Sequence, residues 1–144
     1  MRILLLNGPN LGTLGRRQPE VYGTTTLDEI VEACQARALE RGARLEHLHT
    51  NHEGALIDRL EQLDYDAIII NPGALAHTSY ALHDALLASG RPAVEVHISD
   101  TSARDAWRRA SVTAPATRVQ VIGRGWRGYL DAIDWLLDEE PAAT

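Results

Sequence analysis

Short apolar runs, separated by stretches of helical period, constrain the fold of this chain more than any other feature. Ile3 to Leu6 and Ala67 to Ile70 are continuous apolar runs, as expected for strands covered on both faces. Ala93 to Ile98 and Val119 to Ile122 read as two more strands, and the mostly polar Arg44 to His49 suits a sheet edge. Helical segments fall between them. Thr26-Leu27-Asp28-Glu29 matches a capping box, and Leu27, Ile30, Val31, Cys34 and Ala38 follow at helical spacing until Gly42. Leu56, Ile57, Leu60 and Leu63 mark a second helical face, and Ser79 to Ser89 a third helix ended by Gly90. Arg104 to Arg109 reads as a short helix. Tyr129, Leu130, Ile133, Leu136 and Leu137 give the last, before a disordered-looking tail from Glu139 to Thr144. Strands alternating with helices imply an α/β fold with a five-stranded parallel sheet covered on both faces.

A chain of 144 residues with 44% hydrophobic content forms one domain, residues 1–144, with a workable core. Its net charge of -6 argues against nucleic acid and anionic membrane as partners, which require a basic face. Cys34 is the only cysteine, so an intrachain disulfide is excluded, and a small core residue is its ordinary reading. The apolar runs are too short for a signal peptide or membrane span, which makes a cytoplasmic protein the default. All fourteen basic residues are arginine. No lysine Schiff base, pyridoxal phosphate anchor or P-loop lysine is therefore available.

Gly8, Pro9, Gly12, Gly15, Pro19 and Gly23 break up the stretch after the first strand, so residues from about 8 to 24 read as an irregular active-site loop. That loop carries a cation, Arg17, and a phenol, Tyr22, which can share one site. In parallel sheets ligands bind beyond the carboxyl ends of the strands. Those ends carry Asn7 and Asn10, His49 to Glu53, Asn71-Pro72-Gly73 with His77, His97-Ile98-Ser99, and Gly123. Glu95 and His97 project to one face of their strand, so a carboxylate sits beside an imidazole that can act as a general acid; a buried ion pair without chemistry is the alternative. His77, after Gly73 at a helix start, is favoured for ligand contact, while His83 is assigned to the surface. Arg104 and Arg108, four apart, share a helix face and form either a solvated surface or an anion clamp.

Several tenants of this architecture are set aside. The sequence has no G-x-G-x-x-G after the first strand, no G-K-[ST] and no acidic cluster there for magnesium. Thr24-Thr25-Thr26 is better explained as a helix cap than as a flavin phosphate loop. No close histidine spacing of the H-E-x-x-H kind points to a metal.

Taken together, Asn7-Gly8-Pro9-Asn10-Leu11, Arg17 through Tyr22-Gly23, Asn51-His52-Glu53-Gly54, Asn71-Pro72-Gly73-Ala74, His77-Thr78-Ser79, Glu95-Val96-His97-Ile98-Ser99, and Arg104 with Arg108 resemble the type II 3-dehydroquinate dehydratase family. The resemblance runs from about Ile3 to the Gly125-to-Tyr129 segment. It implies a flavodoxin-like, doubly wound fold and a cofactor-free, metal-free dehydration of 3-dehydroquinate to 3-dehydroshikimate, in aromatic biosynthesis or quinate catabolism. It also implies roles. Tyr22 is the base that takes the proton alpha to the ketone, with Arg17 as the cation that lowers its pKa from the free value of about 10. Asn10 holds a water against the enolate, and His97, oriented by Glu95, protonates the leaving hydroxyl. The Asn71 side chain and the backbone N-H groups of Ile98 and Ser99 bind the carboxylate. His77, Arg108 and, from a neighbouring subunit, Asp84 meet the hydroxyls. Trimers assembled into dodecamers are implied, with exposed Trp and Tyr side chains at interfaces. Gln18, His83 and Asp100 depart from the family's usual Glu, Arg and Asn. A catalytically silent paralogue and a flavodoxin-like electron carrier remain as alternatives.

Overall fold

A computed structural model describes residues 1–139; the expected tail beyond Glu139 lies outside the described residues. Five strands, β1 (Arg2–Asn7), β2 (Arg44–His49), β3 (Ala67–Asn71), β4 (Ala93–His97) and β5 (Val119–Ile122), form one sheet in the order β2-β1-β3-β4-β5. All pairings are parallel. The helices are α1 (Pro19–Tyr22), α2 (Leu27–Glu40), α3 (Glu53–Glu61), α4 (Tyr80–Ser89) and α5 (Gly128–Glu139). No helix among the described residues is long and apolar enough to cross a membrane.

The alternation of side chains along each strand divides the core in two. Ile3, Leu5, Ile69, Val94 and Val96 face α2 and α5, meeting Ile30, Cys34, Ile133 and Leu136. Leu4, Leu6, Ile68 and Ile70 face α3 and α4, meeting Leu56, Leu60, Leu82 and Leu86. Continuous apolar runs are therefore what β1 and β3 require, because neither face of them meets water. β2, on the edge, alternates instead and keeps Arg44 and Glu46 exposed. α2 starts as its sequence dictates: Thr26 accepts from the Glu29 N-H, and Glu29 accepts from the Thr26 N-H. Cys34 is fully buried, and burial pushes its thiol up to about 12, so it is an inert core residue.

Three segments depart from expectation. The stretch after β1 is not wholly irregular. Leu11–Thr13 forms a 3-10 turn and Pro19–Tyr22 a single helical turn, started by Pro19 at its first position. Arg104 to Arg109 is not one helix: a 3-10 turn, Thr101–Ala103, ends just before Arg104, and a second, Ala106–Arg108, follows the extended backbone of Asp105. Leu63 lies past the end of α3 with a φ of 53°, exposed to solvent.

Candidate active site

The chain passes from β1 outward to β2 on one side and returns to β3 on the other, so β1 and β3 flank the switch point of the sheet, where a crevice opens. Asn7 and Asn71 end these strands side by side in register. The loops leaving them approach closely: Gly8 N donates to the Asn71 carbonyl at 2.8 Å. A Cβ on Gly8 would lie 2.5 Å from the Pro72 carbonyl oxygen, and one on Gly73, whose φ is 61°, 2.8 Å from that of Pro9. Glycine is what lets both loops close. Above them lies a cavity of about 120 Å³.

Tyr22, in α1, forms one wall. Arg104 donates to its phenol oxygen at 2.6 Å and Arg17 at 3.3 Å. Both guanidiniums also lie over the ring, 5.2 Å and 4.9 Å from its centroid. Arg104 reaches Ser99 Oγ at 3.4 Å as well. Two cations thus converge on one hydroxyl. Asn10 lines the same cavity from a left-handed backbone, φ 71°, with its N-H held by Asn51 Oδ1 at 2.9 Å.

His97 faces the cavity from the end of β4, and its Nε2 lies 2.9 Å from Glu95 Oε2. Glu95 is fully buried, yet Ser111 donates to it at 2.8 Å, Gln120 at 2.7 Å, and Thr113 as well. Burial alone would push the Glu95 carboxyl up, but the bonds and charge of His97 and the two hydroxyls outweigh it and hold the group below its ordinary value. The pair predicted from strand periodicity is thus an anion with its donors in place.

Asn71, His77, Ile98, Ser99 and Arg108 complete the lining. His77 ends a 3-10 turn, Gly73–His77, rather than opening α4. Its Nδ1 lies 2.6 Å from the Ala110 carbonyl and its ring stands edge-on to Trp107. Arg108 stacks over Trp107 at 4.0 Å, and its buried Nε has no hydrogen bond among the described residues. Arg104 and Arg108 therefore reach the cavity from separate turns, not from one helix face. Among the described residues the lining holds three arginines and no carboxylate, the polarity a small anion requires.

Not every polar strand end arrives here. His49 lies with His47, Arg16 and Asp28 around a separate cavity, and Gly123 lines a neighbouring groove. Asp84 is exposed on α4, outside the cavity. His83 is not a surface residue: it is half-buried, with Nδ1 2.7 Å from the Val112 carbonyl. Among the exposed aromatics, Tyr80 and Trp107 stand out, whereas Trp126 and Trp135 are packed against the core. Sequence reasoning missed the contact of Arg104 with Tyr22 and the three donors on Glu95. All four come from segments far along the chain, and only the unusual buried carboxylate of β4 signalled that partners were needed. Among the described residues no group of three or more side chains is placed to hold a metal ion.

A cationic crevice with a phenol and a carboxylate-bound imidazole on its walls defines an enzyme that moves protons on a small anion, built on a doubly wound parallel sheet. The sequence model of the dehydroquinase class II family matches residues 1–137, and the chain belongs to that family. A 3-dehydroquinate dehydratase of Roseiflexus castenholzii is 55% identical over 139 residues, covering 95% of this chain and 88% of that protein. A catabolic 3-dehydroquinase of Aspergillus clavatus is 46% identical, covering 92% and 89%. The crystal structure of a type II dehydroquinase from Butyrivibrio crossotus superposes with a TM-score of 0.92 at 40% identity, covering 94% of this chain and 97% of that one.

Proposed function

We propose that this cavity dehydrates 3-dehydroquinate to 3-dehydroshikimate without a cofactor, and that Tyr22 and His97 are its base and acid. The observation that carries the reading is the Tyr22 phenol oxygen, met by Arg104 at 2.6 Å and Arg17 at 3.3 Å on the same cavity that His97 lines. Tyr22, as phenolate, takes the proton alpha to the ketone. The electron pair of that C-H bond forms the enolate, whose charge a water held by Asn10 disperses. The enolate then collapses, expelling the ring hydroxyl, which departs as water with a proton from His97. With Nε2 directed at Glu95, Nδ1 is the nitrogen through which the ring exchanges that proton. The Asn71 amide and the N-H groups of Ile98 and Ser99 take the carboxylate, while His77 and Arg108 meet the hydroxyls.

In this reading Asp84 serves the cavity of a neighbouring subunit, which its exposure on α4 suits, and the protein is a cytoplasmic dodecamer built from trimers. Sedimentation at working concentration is expected to show an oligomer; a monomer with full activity would remove Asp84 from the site. Dehydration conjugates a new double bond with the ketone, so ultraviolet absorbance should grow when the protein is added to 3-dehydroquinate. No growth with folded, oligomeric protein would overturn the activity and favour a silent ligand-binding paralogue.

A further inference from the structure

Behind the cavity a buried chain of hydrogen bonds runs inward from Asn71 through groups that the proposed reaction does not use. Asn71 Nδ2 donates to the Tyr129 phenol oxygen at 2.9 Å, and Tyr129 donates to Asn7 Oδ1 at 2.6 Å. Asn7 Nδ2 lies 3.0 Å from His47 Nε2. Asn7 and Tyr129 are fully buried, so neither has water as a substitute partner, while Asn71, nearly buried, meets the cavity.

The direction of every bond follows from one end. The Gly73 N-H can only donate, and it meets Asn71 at 3.1 Å, so the atom facing it is Oδ1. Nδ2 must then face Tyr129, whose oxygen accepts. The single phenol proton is left for Asn7, which must present Oδ1 and therefore turns Nδ2 toward His47. Reversing Asn7 would set two donors on the Tyr129 oxygen and leave the phenol proton without an acceptor. His47 closes the chain only as a neutral ring with a lone pair on Nε2. Burial first, and the charge of His49 second, push its pKa down to about 4, against the opposing effect of Asp28.

We infer that Tyr129, Asn7 and His47 are positioning residues: together with the Gly73 N-H they hold the Asn71 amide at both of its ends, so that its second Nδ2 proton is kept for a ligand carboxylate, and so sharpen the enzyme's preference for a carboxylate-bearing ring. The inference rests on the proposed role of Asn71. An Asn amide that rotates freely offers a carboxylate its oxygen as readily as its nitrogen; a locked one offers only the donor. Specificity in such a site comes from the group presented to the wrong ligand as much as to the right one.

The test uses two competitive inhibitors with the same polyhydroxy ring, one a carboxylate and one its carboxamide. Wild type should prefer the carboxylate, and Asn71→Ala should lose the part of that preference that the Ile98 and Ser99 N-H groups do not supply. Tyr129→Phe should reduce the preference about tenfold, the effect of one misoriented charge-assisted hydrogen bond, by weakening the carboxylate alone. Equal weakening of both inhibitors would mean a merely structural role and overturn the inference. His47→Leu should show the same selective loss, and His47→Gln, whose amide carbonyl accepts the Asn7 proton, should restore the preference. If Tyr129→Phe fails to fold, this His47 pair decides alone, and identical preferences in its two members overturn the inference. Loss in Asn71→Ala without loss in Tyr129→Phe overturns only the positioning chain. Retention in Asn71→Ala overturns the carboxylate assignment beneath it.

Discussion

Tyr22→Phe is expected to lower kcat by about three orders of magnitude, within the range that a positioned base contributes, while changing KM little. The substitution deletes one oxygen. The ring remains for Arg17 and Arg104 to cover, at 4.9 Å and 5.2 Å from its centroid, and Tyr22 is only half-buried in a one-turn helix, so the fold has little reason to change. Circular dichroism and sedimentation of the variant should match wild type. The two guanidiniums define the comparison. Arg104, at 2.6 Å, is the closer donor, and Arg17, at 3.3 Å, the weaker. Arg104→Met should therefore cost more of kcat than Arg17→Met. Steady-state absorbance kinetics measure all three. A Tyr22→Phe enzyme that turns over at the wild-type rate would remove the phenol from the chemistry and leave the Arg17 and Arg104 pair as a carboxylate clamp.

What could be read from the sequence was local. The capping box of Thr26 and Glu29 acts within four residues, so its signature and its geometry coincide. Ile3 to Leu6 announces a strand buried on both faces because each side chain answers to one face or the other. Glu95 and His97 are two apart on a strand, and periodicity alone places them together. What escaped is long in range. Arg104 meets Tyr22 across 82 positions of sequence, and Tyr129 meets Asn7 across 122. The break at Asp105 also escaped, because one extended residue in a short segment leaves no period to read. The family resemblance implied the roles of Tyr22 with Arg17, of His97 with Glu95, and of Asn71, but not Arg104, the donors on Glu95 or the chain behind Asn71. Those were recoverable only as a question: a buried carboxylate, two asparagines ending apolar strands and a tyrosine on an apolar helix face each need partners.

His97→Ala is the complement of the first prediction, and it separates the two halves of the reaction. If Tyr22 forms the enolate and His97 acts only on its collapse, the variant should lose about a hundred- to ten-thousandfold in dehydration yet still exchange the alpha proton. In deuterated water, substrate recovered from His97→Ala should carry deuterium alpha to the ketone, whereas substrate recovered from Tyr22→Phe should not. Mass spectrometry reads both. An analogue with a halide in place of the departing hydroxyl, which leaves without being protonated, should be nearly indifferent to His97→Ala. Glu95→Gln is expected to lose less, about tenfold, since the amide carbonyl can still accept from His97 while the negative charge is gone. It should also destabilise the fold. Glu95 is buried, and its Oε2 accepts from His97, from Gln120 at 2.7 Å and from Ser111 at 2.8 Å; a neutral carbonyl in its place makes each of those bonds weaker than the charge-assisted ones it replaces. Dehydration at the wild-type rate in His97→Ala would move the acid elsewhere on the cavity wall. Loss of exchange together with dehydration would instead join the two steps, with proton removal and departure of the hydroxyl depending on one another.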